Sequence, residues 1–438
     1  IENNSAANYG GGVAVYTADS KYCESNNVTA IDCVFRNNSA VFGGGMALGF
    51  YDKCLIYGCT FDGNKTSNSG AALYVNFGTP EATRVWFTDA KGLINNSSFV
   101  NNTSERSGGA LMVNDAMPNV EFNVVNTTFA GNRIDAKSST LTQRKKFGGA
   151  AIQATLAEIP ASPTLARVRP ASLNLGHVTM TGNHAKCASA TGFFASALNV
   201  TDGNVKILNS IIAGNSTNGT DAYADITATK LAAESYNIYT APTTVNFTPD
   251  ATSVTATSAE EGTAAIAGML QGSIENGIYN PYVLYTDNEP TPFVPVESTM
   301  FGTVNVAKIT SKQRSIEKEF NIDIDRNGSI GDVLTTDQLG RIRNTDSMPG
   351  AVEFCSDYSG TEAVEIDGNS VIVDVQPGGY VHISAHQAIG TISVMDMTGR
   401  TVAAANSADT DYTLDLTGVQ RGIYIICCCN KAYKILIQ

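Results

Sequence analysis

The sequence is poor in charge, and most of the charge that it has is negative. Only 16% of the 438 residues are charged, and the formal net charge at pH 7 is −13. A nucleic-acid-binding protein carries a basic stripe that meets the phosphates. The basic cluster of this chain, residues 144–146, is short, and we interpret it as a solvated loop tip. The composition therefore argues against nucleic acid as a partner.

Long apolar runs are also missing. No run reaches the roughly 20 residues that a helix needs to cross a bilayer, so we expect no transmembrane helix. Helical runs long enough to connect parallel strands by crossovers are absent too. Short runs with period-two alternation are frequent instead, such as residues 30–35 and 45–48. This alternation predicts half-buried strands joined by turns.

One short pattern, called the kernel here, recurs through the first half of the chain. In a clear copy, Phe35 is followed three residues later by Asn38, and a glycine run that includes Gly44 then leads into an apolar strand. Gly109 and Gly149 occupy the same place in later copies. The kernel asparagines lie 26 to 51 residues apart: Asn4, Asn38, Asn64, Asn102, Asn132, Asn183 and Asn215. A fixed pattern with variable insertions is typical of a solenoid.

The kernel favours a right-handed parallel β-helix over residues 1–240. Stacked coils lie about 4.8 Å apart, so equivalent residues form ladders along the stack. We expect each kernel asparagine to donate to the next one and to occupy the left-handed corner that asparagine tolerates. The glycines suit a second corner, where φ is positive or where no side chain fits against the next coil.

These motifs resemble a known repeat. The pattern F-x-x-N, as at residues 99–102, followed by G-G-A-[IL], as at residues 108–111, is similar to polymorphic outer-membrane proteins and bacterial choice-of-anchor β-helix proteins. Residues 235–238 resemble the S-x-Y-N-[IL] that ends such helices, and residues 337–343 and 349–353 resemble their closing element. The resemblance implies a bacterial surface or secreted protein. Residues 241–355 are then an irregular closing segment, draped over the last coils to protect their open edge.

Residues 356–438 change character and predict a small antiparallel β-sandwich. Six short strands are expected there: residues 370–375, 380–384, 390–396, 412–416, 422–429 and 432–437. Residues 392–400, 414–416, 422–425 and 434–437 resemble the C-terminal sorting domain of the type IX secretion system. That resemblance implies type IX machinery as a partner and a Bacteroidota-type outer-membrane surface as the location. A generic carbohydrate-binding or fibronectin-like sandwich is the alternative.

The nine cysteines leave two interpretations open. Cys33 and Cys59 each precede a kernel phenylalanine by two residues, so they share a ladder position, and Cys23 and Cys54 form a second candidate pair. Stacked cysteines are close enough for a disulfide, but we favour small buried ladder residues. Residues 427–429 are three adjacent cysteines in an apolar strand, and we expect them to fill a core. The chain opens inside a kernel copy, so we expect upstream residues, or another partner for the first coil.

One stretch matches part of a calcium loop. Asp323, Asp325 and Asn327 follow the order D-x-D-x-N-G, but position 12 is Leu334, where a carboxylate is needed. Asp332 would serve only in a different geometry. Calcium is therefore a candidate ligand of this loop, with an ordinary Asx turn as the alternative, and we expect no other cofactor.

The sequence contains no recognisable catalytic constellation, so we favour a non-enzymatic protein. The four histidines have no carboxylate at a suggestive spacing, and acidic residues such as Asp32, Asp62 and Asp89 are scattered over the coils. A glycosidase needs converging carboxylates, and a lyase needs a basic residue, usually with calcium. A polysaccharide lyase or glycosidase on the β-helix flank nevertheless remains the second hypothesis, and a passive structural spacer the third.

The first hypothesis is an adhesin-like or scaffold protein that binds a glycan or a host or bacterial surface protein. Insertions at residues 77–91, 135–147 and 156–170 interrupt the coils, and such loops often carry binding. Aromatic rings stack on sugars, and four aromatics expected to be exposed are the candidate contacts: Tyr74, Phe77, Trp86 and Phe87. Packing of these rings on the helix flank is the alternative.

Overall fold

A computed structural model divides the chain into two units, residues 1–354 and 355–438. In the first unit it describes residues 1–15, 26–49, 51–77, 91–116, 118–136, 148–156, 169–187, 195–217, 224–228, 231–239, 252–255, 272–275, 278–281, 285–286, 289–290, 300–301, 304–305, 311–312, 316–324, 328–331, 333–338, 343, 346–347 and 349–351. In the second it describes residues 371–376, 379–385, 388–396, 400–420, 422–429 and 431–437.

The first unit is built from three parallel sheets, here called A, B and C, which the chain visits in that order in each coil. Equivalent strands of successive coils pair in parallel register; Leu93, for example, lies opposite Leu55 on one side and Asn123 on the other. The prediction of an all-β chain that begins with stacked parallel coils is confirmed.

The strands of each sheet follow one another along the stack. Sheet A comprises Asn26–Ile31, Val34–Arg36, Tyr51–Tyr57, Thr60–Asp62, Lys91–Asn95, Ser98–Val100, Glu121–Ala130, Ser172–Thr181, Asn204–Leu208, Ile211–Ile212, Leu231–Ser235, Ile238–Tyr239 and Val254–Thr255. Sheet B comprises Ser39–Phe42, Lys65–Ser69, Thr103–Ser104, Arg133–Ala136, His184–Cys187 and Ser216–Thr217. Sheet C comprises Val13–Val15, Met46–Gly49, Leu73–Asn76, Leu111–Ala116, Ile152–Leu156, Ala195–Thr201 and Ala224–Ala228.

The kernel phenylalanines form a stack inside the coils. Their ring centroids lie 4.6 to 4.8 Å apart and their planes are within 12° of parallel. The four buried rings are Phe35, Phe61, Phe99 and Phe129. Since one ring sits on each coil, the apolar core continues from coil to coil without a break.

The kernel asparagines form a second internal column beside the rings. In six successive pairs, the backbone N–H and the side-chain Nδ2 of one asparagine both donate to the Oδ1 of the next, at 2.8–3.1 Å. Asn102 also donates from Nδ2 to the carbonyl of Phe61 at 3.0 Å, so its side chain joins three coils. The amides from Asn38 to Asn215 are buried, and the column satisfies them internally.

The expectation for the corner conformation is wrong in one detail. Among the described residues, the kernel asparagines do not have positive φ; the residue before each of them does, with φ between 53° and 69°. These left-handed residues are Asn3, Asn37, Gly63, Asn101, Gly131, Gly182 and Gly214. The preceding residue makes the turn because the kernel asparagine must keep its amide aligned with the ladder.

The glycine run makes the second corner for both of the expected reasons. Gly149 has a φ of 63°, which disfavours other residues. A Cβ at Gly44 would lie 2.5 Å from the carbonyl oxygen of Lys65 in the next coil. The backbones of neighbouring coils therefore approach too closely at this corner for a side chain.

A second left-handed column, which the sequence analysis did not identify, divides sheet A. It consists of Asp32, Gly58, Asn96, Asn126, His177, Asn209 and Tyr236, each three residues before the kernel aromatic or its replacement. The next residue often carries a hydroxyl or thiol that donates two residues back, as Ser97 does to Asn95 at 2.9 Å and Thr127 does to Val125 at 2.7 Å.

Cys33 and Cys59 belong to this hydroxyl and thiol column. Their thiols are free and donate to the carbonyls of Ile31 and Tyr57, at 3.2 and 3.4 Å. They are ladder residues in this structure. Cys54 is also free and buried, and Cys23 lies outside the described residues.

Part of the closing segment lies along the flank of sheet A. Its described part includes four short antiparallel pairs: Gly272–Glu275 with Ile278–Pro281, Tyr285–Thr286 with Glu289–Pro290, Met300–Phe301 with Val304–Asn305, and Ser311–Lys312 with Asp346–Ser347. The helix Ile316–Phe320 packs on the outward side chains Leu93, Val125 and Leu208. We call the described residues of 316–351 the flank segment.

The flank segment crosses several coils, while the strand Val254–Thr255 of the closing segment pairs with Ile238–Tyr239 of the last coil. Gln338 accepts from Thr128 and donates to Ser98, while Arg343, 3% exposed, donates to Asn126 at 2.7 Å and to the carbonyls of Gly350 and Ala351. The flank segment lies along the side of the coil stack because the outward row of sheet A is apolar there.

The second unit contains two antiparallel sheets around its own core. One comprises Val371–Gln376, Tyr380–Ala385 and Asp411–Asp415, and the other Thr401–Ser407, Gly390–Asp396, Gly422–Cys428 and Lys431–Ile437. Ile383, Ile392, Val394 and Ile426 are fully buried there. The predicted antiparallel β-structure is confirmed, but the strand Thr401–Ser407 was missed, because its three alanines lack a strong strand propensity.

Replacing Asn102 by alanine tests the asparagine column. We expect the free energy of unfolding to fall by about 3 kcal/mol or more, since each buried donor or acceptor left unpaired costs 1–3 kcal/mol. Urea denaturation measures the change. Asn27→Ala, at an exposed asparagine of sheet A, should change it by less than about 0.5 kcal/mol; equal losses in the two variants would contradict the role of the column.

Replacing Arg343 by alanine tests the attachment of the flank segment. The amide of Ala351 donates to Thr179 of sheet A at 3.0 Å. We expect its hydrogen exchange to accelerate at least tenfold, because the arginine no longer holds residues 350–351. Arg400→Ala, at an exposed arginine of the other unit, is the matched control. Unchanged protection of Ala351 in the Arg343 variant would refute the attachment.

Candidate functional site

The three sheets differ in how much of their outward face is available. In sheet C the outward row is buried as well as the core row, as Ala47, Gln153 and Asn199 show. In sheet A the flank segment covers the outward row from Leu93 to Leu208. Sheet B is the one whose outward side chains are exposed along most of its described strands.

Sheet B alternates between buried and accessible positions over residues 65–67, 103–104, 133–136 and 184–186. Thr66, Ser104 and Ile134 point inward and are buried. The accessible side chains on the same strands are Ser39, Lys65, Ser67, Thr103, Arg133, Asp135, His184, Lys186 and Ser216. Parallel in-register pairing places them in rows about 4.8 Å apart. The outer face of sheet B is therefore a regularly spaced set of side chains with many hydrogen-bonding groups.

His184 lies in the middle of the basic part of this face. It is in register with Arg133, and its Nδ1 lies 2.8 Å from the Oγ of Ser216. Lys186 pairs with Asp135 at 3.8 Å, with both side chains more than half exposed. Burial, then the charges of Arg133 and Lys186, lower the pKa of His184 to about 4, against the opposing effect of Asp135. The imidazole is therefore neutral at pH 7.

Two of the four proposed aromatic contacts are buried. Tyr74 is 6% exposed and packs against Phe42, and Phe77 is 2% exposed and belongs to the coil core. The expectation that these two rings are exposed is therefore wrong. Tyr74 lies on the outward row of sheet C, which is buried, and alternation alone does not predict that burial. Trp86 and Phe87 lie outside the described residues.

A different aromatic pair was missed and is more accessible. Tyr9 and Phe42 are half-buried and stack at 5.3 Å, next to the end of sheet B. The equivalent positions in the next two coils are Ser69 and Ser107, whose hydroxyls lie 2.9 Å apart. The signal was present in the sequence, because each of these residues directly precedes the left-handed glycine of its coil.

The inserted segments leave the coils at two places only. Segments 78–90 and 157–168 both follow a sheet C strand and precede sheet A, whereas segment 137–147 follows the sheet B strand Arg133–Ala136. These segments themselves lie outside the described residues. Their attachment points show that two of the three predicted loops share one corner of the coil.

The candidate calcium loop is only partly described. Asp323 accepts the N–H of Gly328 through Oδ2 at 2.9 Å, five residues along the chain rather than the two of an Asx turn, while Asp325, Asn327 and Asp332 lie outside the described residues. Leu334 is buried in the apolar cluster of the flank segment, so position 12 supplies no ligand. Within the described residues, no three His, Cys, Asp or Glu side chains group as metal ligands. Calcium stays a prediction.

The other histidine, acidic and cysteine side chains considered as candidates contribute to the fold. His177 occupies the left-handed column and is buried, while Asp62 pairs with Arg36 at 3.3 Å. Burial raises the pKa of the Cys54 and Cys59 thiols to about 12, which makes them poor nucleophiles. None of these groups faces the accessible row of sheet B.

The second unit presents polar turns and a buried thiol. Asp411 lies 3.7 Å from His382, and hydrogen bonds from Ser384 and Thr410 lower the pKa of its carboxyl. Cys428 is buried in the core of this unit, in agreement with core filling. Cys427 and Cys429 are only half-buried beside it.

Comparison with known families identifies two parts of the chain. Residues 378–438 match the secretion system C-terminal sorting domain, and residues 58–76 match the Chlamydia polymorphic membrane protein repeat. The second match covers one kernel copy, from the left-handed Gly58 to the sheet C strand Leu73–Asn76. No curated protein and no solved structure gives a significant match to the chain.

These matches define the class of protein. The C-terminal unit is a type IX secretion sorting domain, so the protein is secreted to the outer-membrane surface and interacts with the secretion machinery. The chain is a secreted surface protein with a polymorphic-membrane-protein-like repeat in stacked parallel sheets. Among the described residues, no helix has the length and apolar character needed to traverse a bilayer.

Removing residues 378–438 tests the sorting role. We expect surface display to be lost, with the β-helix accumulating inside the cell envelope. Immunoblots of whole cells treated with protease, with and without permeabilisation, measure the location. Asp415→Asn, at an exposed turn carboxylate of the same unit, serves as a point-substitution control. Full display of the truncated chain would contradict the assignment.

The lowered pKa of His184 predicts a pH dependence of stability. Its ordinary value is 6.5 and its folded value is about 4, so between these values the unfolded chain binds a proton that the folded chain does not. The free energy of unfolding therefore falls as the pH drops from about 6.5 to about 4, and levels off below. Urea midpoints across this range, compared between the parent chain and His184→Gln, isolate the effect. Identical pH profiles would refute it.

Proposed function

We propose that the β-helix acts as an adhesin-like surface protein and binds a glycan along the exposed face of sheet B. The observation that carries the proposal is the row of accessible hydroxyl, amine, guanidinium and carboxylate groups on that face. Glycans offer many hydroxyls, and closely spaced donors and acceptors on a rigid scaffold bind them without reorganisation. The coil spacing repeats these groups at about the length of one sugar residue.

The aromatic pair Tyr9 and Phe42 also favours this face as the glycan-binding surface. Tyr9 and Phe42 stack at the end of sheet B, and both residues are partly exposed to solvent. Sugar rings pack their apolar faces on such aromatics. Trp86 and Phe87 remain candidate contacts in this proposal, on a segment that leaves the neighbouring corner.

Retention on a panel of immobilised polysaccharides tests the proposal, with release of reducing sugar and unsaturated uronate measured in parallel. We expect retention without turnover, and about five-fold weaker binding for Tyr9→Ala, since an aromatic contact contributes about 1 kcal/mol. Tyr380→Ala is the matched control, at a tyrosine 42% exposed in the sorting domain.

Each contrary outcome has a distinct meaning. Turnover of any polysaccharide would replace the proposal by a lyase or glycosidase. Absence of both retention and turnover across the panel would leave protein adhesion or a spacer role. Equal weakening by the two tyrosine variants would remove the aromatic pair from the binding surface.

A further inference from the structure

We propose that the ligand of sheet B is an anionic polysaccharide, whose carboxylate or sulfate groups lie over the neighbouring side chains of Arg133, His184 and Lys186. This inference rests on the proposed function and narrows its ligand class. It assigns these three side chains, on two adjacent coils, as the anion-contacting part of the face.

The first argument is charge. The whole chain carries a net charge of −13, yet the six strands of sheet B hold three basic side chains, Lys65, Arg133 and Lys186, against one acidic side chain, Asp135. A polyanion is repelled by most of an acidic protein and attracted by a local excess of positive charge. Sheet B is therefore complementary to an anionic chain.

The second argument is the placement of these charges. Arg133 lies in register with His184, and Asp135 with Lys186, so the two basic side chains are on adjacent coils and in different rows. Lys65 continues the row of Arg133 two coils earlier, across Thr103. A polymer lying along the stack would meet a cation or a hydroxyl at each coil.

The third argument comes from His184 itself. Nearby positive charge from Arg133 and Lys186 helps to keep its imidazole neutral, although Asp135 acts in the opposite direction and Ser216 lies at hydrogen-bond distance. An anion over this cluster would offset the two cations and raise the pKa of His184 from about 4. Binding would then take up a proton and strengthen as the pH falls between the bound and free pKa values.

The test titrates the full chain with three probes: dextran, dextran sulfate and polygalacturonate. Dextran and its sulfate differ in charge and share a backbone, while polygalacturonate replaces sulfate by carboxylate. We expect binding of one or both anionic probes, weaker binding of neutral dextran, and an affinity that falls steeply as salt increases.

Matched variants locate the contact. Arg133→Gln and Lys186→Gln should each weaken anion binding about two- to five-fold, the usual strength of an exposed ion pair, and Asp135→Asn should strengthen it by a similar factor. Lys53→Gln is the control, because it removes the same charge from an exposed position on sheet A. Equal losses in Lys53→Gln and Lys186→Gln would overturn the assigned position.

His184 supplies a readout at the site. Its ring-proton resonance, assigned by comparison with His184→Gln, should report a pKa above the free value when a probe saturates the protein. An unchanged pKa of His184 in the saturated complex would overturn the inference. Binding of neutral dextran alone would do so too and leave the proposed function standing, whereas failure of all three probes and of the wider panel would defeat both.

Discussion

The hydrogen bond between successive kernel asparagines is the constraint on which the coil stack depends. From Asn38 to Asn215 each amide is buried and is satisfied by hydrogen bonds to neighbouring coils. The spacing from the kernel aromatic to the asparagine is consequently fixed at three residues, because the ring column and the amide column must both stay aligned. Insertions leave the coil after sheet B or after sheet C, and the corner between sheets A and B keeps its length in every described coil.

The sequence was sufficient to predict the features that repeat from coil to coil. Equivalent residues such as Asn38 and Asn64 recur at a fixed distance from an aromatic, and parallel stacking follows because a repeated polar residue inside a solenoid needs its own copy as a partner. The backbone conformation of individual corner residues was harder to predict. The left-handed residue proved to be Asn37, one position earlier, because two adjacent asparagines look equivalent in the sequence.

Features that depend on distant segments were not predictable. Alternation divides a strand into two faces, but it does not say whether another part of the chain covers the outward one. Tyr74 was expected on the surface and is buried, in contact with Phe42 of the preceding coil. The contact between Thr128 and Gln338 joins residues 210 positions apart, so no local pattern indicates it. Sheet B could be identified as the accessible face only after the outward rows of sheets A and C were found to be buried.

The asparagine column also has a direction. In every pair, the Oδ1 of the later asparagine accepts from the earlier one, so these asparagine–asparagine dipoles point the same way along the stack, as peptide dipoles do along an α-helix. The donor end is Asn215, whose Nδ2 lies 3.1 Å from Oδ1 of the buried Asp225, which also accepts from Ser196. An acidic side chain at this end plays the part of an acidic N-cap: it closes a polar column that would otherwise expose its positive pole to an apolar interior.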